Sequence, residues 1–186
     1  RYEALNPSDV LGTNVDDDSP GFTVSAVSGS TSENGGIALF TVRLNMKPSD
    51  NVTIYATSSD TTEGRMLQQN SDNTTTDNLS IVFTTSDWSS QHQVRIKGHD
   101  DSETDGHQRF LVQLSSAISS DSSYNGLDPD DLPVSNFDDE TAGVSVSMGF
   151  TLSDKSGGTS EFGDNASFTV RLTSQPAGDV VLTLAS

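Results

Sequence analysis

The chain has 186 residues, room for one domain or for one domain with pieces of its neighbours. Its 27 Asp and Glu against 9 Lys and Arg leave a formal charge of −18, which makes nucleic acid a poor candidate partner and weighs against anionic membranes, because both repel such a surface. Cysteine is absent, which removes disulfides, thiol nucleophiles and zinc–thiolate sites, and no apolar run is long enough to predict a membrane span or a signal peptide.

The chain opens at Arg1 without an initiating Met and reads as a processed or excised piece. Its first block, Tyr2-Glu3-Ala4-Leu5-Asn6-Pro7-Ser8-Asp9-Val10 and then Asn14-Val15-Asp16-Asp17-Asp18, returns as Tyr124-Asn125-Gly126-Leu127-Asp128-Pro129-Asp130-Asp131-Leu132 and then Asn136-Phe137-Asp138-Asp139-Glu140. A second block, Thr31-Ser32-Glu33 with Phe40-Thr41-Val42-Arg43-Leu44 and Pro48, returns as Thr159-Ser160-Glu161 with Phe168-Thr169-Val170-Arg171-Leu172 and Pro176. Matches of this length at a near-constant offset define an internal repeat. The expected frame is the C-terminal strand and acidic linker of one repeat (1–18), a complete repeat (19–140) and the N-terminal strands of a third (141–186).

Within the complete repeat the apolar period is 2 and not 3.6, which predicts strands. In chain order they are Phe22-Val24, Phe40-Val42-Leu44, Val52-Ile54-Ala56, Leu79-Ile81-Phe83, Val94-Ile96, Phe110-Val112-Leu114 and Leu132-Val134. Clusters of Gly, Asn, Asp, Ser and Pro between them, such as Ser32 to Gly36 and Pro48 to Asn51, supply turns. Seven short strands in a segment of this size predict an all-β fold, an antiparallel immunoglobulin-like β-sandwich in tandem repeat.

Consecutive strands of a sandwich run in opposite directions, so successive loops alternate between its two ends. The loops after the first, third and fifth strands and the exit of the seventh therefore share one end. They carry Glu33, then Asp60 and Glu63, then Asp100 and Asp101, and finally Asp138, Asp139 and Glu140. Glu161 and the run Asp16-Asp17-Asp18 are the corresponding residues of the flanking repeats. Two unit charges about 4 Å apart repel by roughly 4 kcal/mol at an effective dielectric near 20, so such a gathering calls for a cation. Calcium fits best, because it accepts 6 to 8 oxygen ligands with tolerant geometry, whereas magnesium keeps its water and zinc or copper prefers His or Cys. The competing reading is that acidic turns are plain solubilising surface.

At these residues the sequence resembles Calx-beta domains, calcium-binding sandwiches of sodium/calcium exchangers and of tandem arrays in bacterial surface and secreted proteins. The resemblance rests on Thr31-Ser32-Glu33-Asn34-Gly35-Gly36 with Phe40 to Leu44, on Phe83-Thr84-Thr85-Ser86-Asp87-Trp88 through Val94-Arg95-Ile96, and on the Tyr124 to Asp139 block. It implies that Glu33, Asp138 and Asp139 ligate calcium. Ser59-Asp60-Thr61-Thr62-Glu63-Gly64 stands where exchanger domains carry Asp-Gly and Asp-Tyr pairs, a departure that points to the bacterial branch.

No nucleophile motif accompanies His92, His99 and His107, and aromatic residues form 6% of the chain with a single Trp, too few for the platforms of a glycosidase cleft. The expectation is a non-enzymatic, calcium-stabilised spacer of an extracellular, secreted or cell-surface bacterial protein. Calcium would stiffen the junctions between neighbouring repeats, and the lone end strands are expected either to pair with a neighbouring chain or with each other's symmetry mates, or to be what proteolysis leaves of a much longer array. The alternatives are a recognition module for a glycan or a host or cell-surface protein, and an exchanger-like calcium sensor.

Overall fold

The computed structural model describes residues 3–15, 17–71, 73–149 and 167–185. Among them there is no α-helix, and so none long and apolar enough to cross a membrane. Thirteen strands form: β1 (Phe22–Val24), β2 (Thr31–Ser32), β3 (Ile37–Leu44), β4 (Val52–Ser58), β5 (Gly64–Leu67), β6 (Thr75–Thr76), β7 (Asn78–Phe83), β8 (His92–Gly98), β9 (Gln108–Leu114), β10 (Ile118–Ser119), β11 (Leu132–Phe137), β12 (Val144–Gly149) and β13 (Ser167–Leu172). The seven predicted strands coincide with β1, β3, β4, β7, β8, β9 and β11. The expectation of seven is corrected by four more in the same region, β2, β5, β6 and β10. These are two to four residues long, too short to show a period in the sequence.

One sheet runs in the order β1-β3-β8-β5-β6. The second runs β10-β4-β9-β11-β2, with β7 along the other edge of β4. Alternation sets the inner faces: in β3, Ala38, Phe40, Val42 and Leu44 are buried, and in β7 Leu79, Ile81 and Phe83 are. Together with Ile54, Met66, Val94, Ile96, Phe110, Val112 and Val134 from both sheets they make one core, the character of a β-sandwich. Each fully buried Val, Leu, Ile, Phe or Met side chain contributes about 1.5–3 kcal/mol by leaving water. Tyr124 closes the end away from the acidic loops. Fully buried, it donates its hydroxyl proton to the Met46 carbonyl at 2.6 Å and receives the Met46 N–H at 3.1 Å.

Before the first sheet, residues 5–15 form no strand, and Val10, Leu11 and Val15 are exposed. Beyond the sandwich, β12 and β13 make an antiparallel pair. Val144 faces Leu172 and Val146 faces Val170, as Phe22 faces Leu44 and Val24 faces Val42 in β1 and β3. The backbone bonds just outside correspond too, Asn45 N–H to Gly21 at 2.9 Å and Thr173 N–H to Gly143 at 3.0 Å.

Candidate metal centre

After β1 the chain leaves the first sheet and crosses to the second, where β2 lies parallel to the end of β11 with Thr31 beside Asn136 and Ser32 beside Phe137. This crossing puts Glu33 next to the acidic run that follows β11, and its N–H donates to the Phe137 carbonyl at 3.1 Å. A tight turn follows, with the N–H groups of Gly35 and Gly36 bonded to Ser32 O at 3.0 and 3.1 Å and Gly35 at a φ of 85° that favours glycine. The seam between the sheets is close here. A Cβ on Gly98 would lie 2.3 Å from Ser32 O and 2.4 Å from Asn136 Oδ1, so only glycine fits.

Asn136, 1% exposed, organises the floor beneath these loops. Its carbonyl oxygen accepts from the Thr31 hydroxyl at 2.9 Å, and its amide donates to Glu63 Oε2 at 3.3 Å and His99 O at 3.4 Å. Glu63 is buried as well. That burial raises its pKa, opposed by the Asn136 hydrogen bond and reinforced by the charges of Asp105, Asp60 and Asp101.

Above the floor two groups of carboxylates form, Glu33 with Asp138 and Glu140, and Asp100 with Asp139 and Glu140. Within each group the ligand atoms lie within 4.8 Å of one another. Glu33 is 4% exposed, and its Oε2 and the Oε2 of Glu140 are both buried without a hydrogen-bond partner. Burial, then the hydrogen bond that a protonated Glu33 makes with the Glu140 carboxylate and the charge of that group, pushes Glu33 up to about 8, with the Asp139 N–H opposing and the charge of Asp101 adding. Asp138 moves the other way. Its oxygens accept the N–H groups of Gly106 and Glu140, each at 2.7 Å, and these hold it below the usual carboxylate range.

Of the predicted ligands, the structure brings together Glu33, Asp100, Asp138, Asp139 and Glu140. Asp101 borders the group, its Oδ1 taken by the Glu103 N–H at 2.7 Å. Glu63 lies deeper and joins through Asn136. Asp60 faces into its own turn, where Thr62 donates its N–H at 3.0 Å and its hydroxyl at 2.6 Å to Oδ1, lowering the pKa. Asp17 and Asp18 belong to neither group, and Asp16 and Glu161 lie outside the described residues. Sequence reasoning missed Asn136, although its recurrence as Asn14 beside the acidic run was a usable signal.

Both groups consist of carboxylates alone, with no His, among the described residues. Such a donor set suits a hard, oxygen-seeking cation, and without one the buried carboxyl groups of Glu33 and Glu140 share a proton instead, which is what raises Glu33. No protein-family model matches the chain, and no curated protein matches it.

Proposed function

We propose that the chain is a calcium-stabilised, non-enzymatic structural module of an extracellular bacterial surface or secreted protein, an immunoglobulin-like sandwich of Calx-beta type within a tandem array. The observation that carries this reading is the meeting of five carboxylates at one end of the sandwich, with side-chain oxygens of Glu33 and Glu140 buried among them. Calcium suits this cluster because it accepts many oxygen ligands, backbone carbonyls included, at loosely constrained angles.

The β12–β13 pair supports the repeat reading, since its register and flanking hydrogen bonds duplicate those of β1 and β3. The same loop that carries Asp100 and Asp101 also grips that hairpin. Gln175 N–H donates to Ser102 O at 2.6 Å, and its amide donates to Glu103 Oε1 at 3.2 Å. A cation bound by Asp100, Asp139 and Glu140 would draw together the loop and the connector leading to β12, and so stiffen the joint.

The test is a thermal melt with EDTA and with excess calcium, for the native chain and for Glu33→Ala and Asp139→Ala. At a calcium concentration about 100 times the dissociation constant, binding adds about 2.7 kcal/mol, a shift of several degrees. The expected result is a rise in the midpoint that both variants lose. An unchanged midpoint in the native chain would return the carboxylates to plain solubilising surface.

A further inference from the structure

Most edges of the sandwich are short. Among the described residues β1, β2, β6 and β10 end their sheets with two or three residues each, too few to template another strand. β7 is the exception. Its six residues, Asn78–Phe83, pair with β4 on one side only, and the run Asn-Leu-Ser-Ile-Val-Phe contains none of the charges or prolines that commonly protect an edge.

On the open side of β7 the backbone is only partly satisfied. Tyr55 of β4 turns away from β7, accepting the Ser115 N–H at 2.9 Å and donating its own to Ser115 Oγ at 2.9 Å. Ser80, which faces Tyr55, therefore directs its N–H and C=O outward, and by alternation so do Asn78 and Val82. The Thr76 hydroxyl caps Asn78, receiving its N–H at 3.3 Å and donating to its carbonyl at 3.0 Å. Just past the strand, Asp87 Oδ1 accepts the Thr84 N–H at 2.6 Å. Between these two caps the outward N–H and C=O groups of Ser80 and Val82 have no partner among the described residues.

Charge favours the same edge. The outward positions of β4, β7 and β9 hold Thr, Tyr, Asn, Ser, Val, Leu and Gln with a single charge, Arg109, although the chain carries 27 acids and 9 bases. Val82 is 41% exposed there, and Ile118, 60% exposed, lies across Thr53 from it. Two chains of charge −18 repel each other least where neither presents an acid.

We propose that this edge pairs with the β7 edge of a second copy, antiparallel about a two-fold axis at Ile81. In that register Ser80 faces Val82 of the second copy and Val82 faces its Ser80, so four hydrogen bonds satisfy every free group on both edges. β7 runs from the acidic end, where Asn78 faces Thr57, to the opposite one, where Phe83 faces Val52. Antiparallel pairing therefore keeps the two carboxylate clusters at opposite ends of the dimer. The inference draws neither on cation binding nor on the end segments of the chain.

The test is sedimentation velocity on the full chain from about 10 µM to about 1 mM, since four hydrogen bonds and a small apolar contact make a weak dimer. The native chain is expected to pass from monomer to dimer over that range. Ser80→Pro removes an outward donor without touching the ladder to β4, and Val82→Lys puts a charge on the edge. With folding checked by circular dichroism, the first should abolish the dimer and the second weaken it by about tenfold. Thr23→Lys, exposed on the β1 edge, should change it by less than about twofold. Because the chain lacks cysteine, oxidising a mixture of Ser80→Cys and Val82→Cys chains reads the register. Facing positions lie about 5.5 Å apart, within reach of a disulfide, and like positions lie on a diagonal of about 7–8 Å, so the mixed disulfide should exceed either like-with-like product by about tenfold. A chain that stays monomeric, a dimer that survives both β7 variants, or an excess of like-with-like cross-links would overturn the proposal. Loss of the dimer with Thr23→Lys alone would also overturn it and move the contact to the β1 edge.

Discussion

Glu33 ties the acidic end to pH. Its carboxyl group is raised from an ordinary 4.5 to about 8 in the fold. Below 4.5 the folded and unfolded states both hold the proton, and the group is neutral to stability. Between 4.5 and about 8 the unfolded chain has released a proton that the fold retains, so metal-free stability falls as pH rises. Glu63, also raised by burial, adds to the same slope. Melts in EDTA should therefore show a midpoint declining from pH 5 towards pH 8, flattened by Glu33→Gln, whereas a midpoint rising over that window would contradict the assignment. At the floor, Asn136→Ala removes the amide that satisfies buried Glu63 and should cost about 1–3 kcal/mol in denaturant titration. Glu33 was legible because it recurs as Glu161 and sits in a loop that strand alternation sends to the acidic end. Asn136 was marked only by its recurrence as Asn14, and its role was hidden because its partners Thr31, Glu63 and His99 come from three other segments.

At the scale of elements, the long strands could be read from their period of 2, while β2, β5, β6 and β10 could not. β2 shows what that omission hides. Two residues long, it moves the chain from one sheet to the other and pairs parallel to β11, which brings Glu33 to the run at Asp138. Across the sandwich, Tyr124 and Asp121 tie the connection between β9 and β11 to the turn after β3. Asp121 accepts the Ser49 N–H at 2.7 Å, and Tyr124 makes its two bonds to Met46. Tyr124→Phe leaves the Met46 groups without that partner and should cost about 1–3 kcal/mol. Because this end is opposite to the acidic loops, the calcium response of the variant should match that of the native chain. A loss of response in Tyr124→Phe would mean that the two ends are coupled through the core.

For the whole molecule, the consequential contact joins the loop of Asp100 to Asp105 with the β12–β13 hairpin. Gln175 bridges Ser102 and Glu103, and the Thr173 hydroxyl donates to Thr141 O at 2.6 Å. If a cation stiffens this joint, hydrogen exchange in β12 and β13 should slow when calcium is added to the native chain. Gln175→Ala should lose part of that protection without losing the thermal shift of the sandwich itself. Exchange in the hairpin that ignores calcium would leave the cation a purely local support.

The positions of the seven longer-patterned strands, the all-β class and the gathering of Glu33, Asp100 and the run from Asp138 at one end follow from the sequence alone, because side-chain alternation and loop alternation are local and periodic. The tertiary structure decided which carboxylates meet. It turned Asp60 into its own turn, set Glu63 on Asn136, demanded glycine at position 98 and placed Arg65 opposite Lys97. Those outcomes depend on the register between segments distant along the chain, where a shift of one residue exchanges the faces, and no local pattern encodes that register.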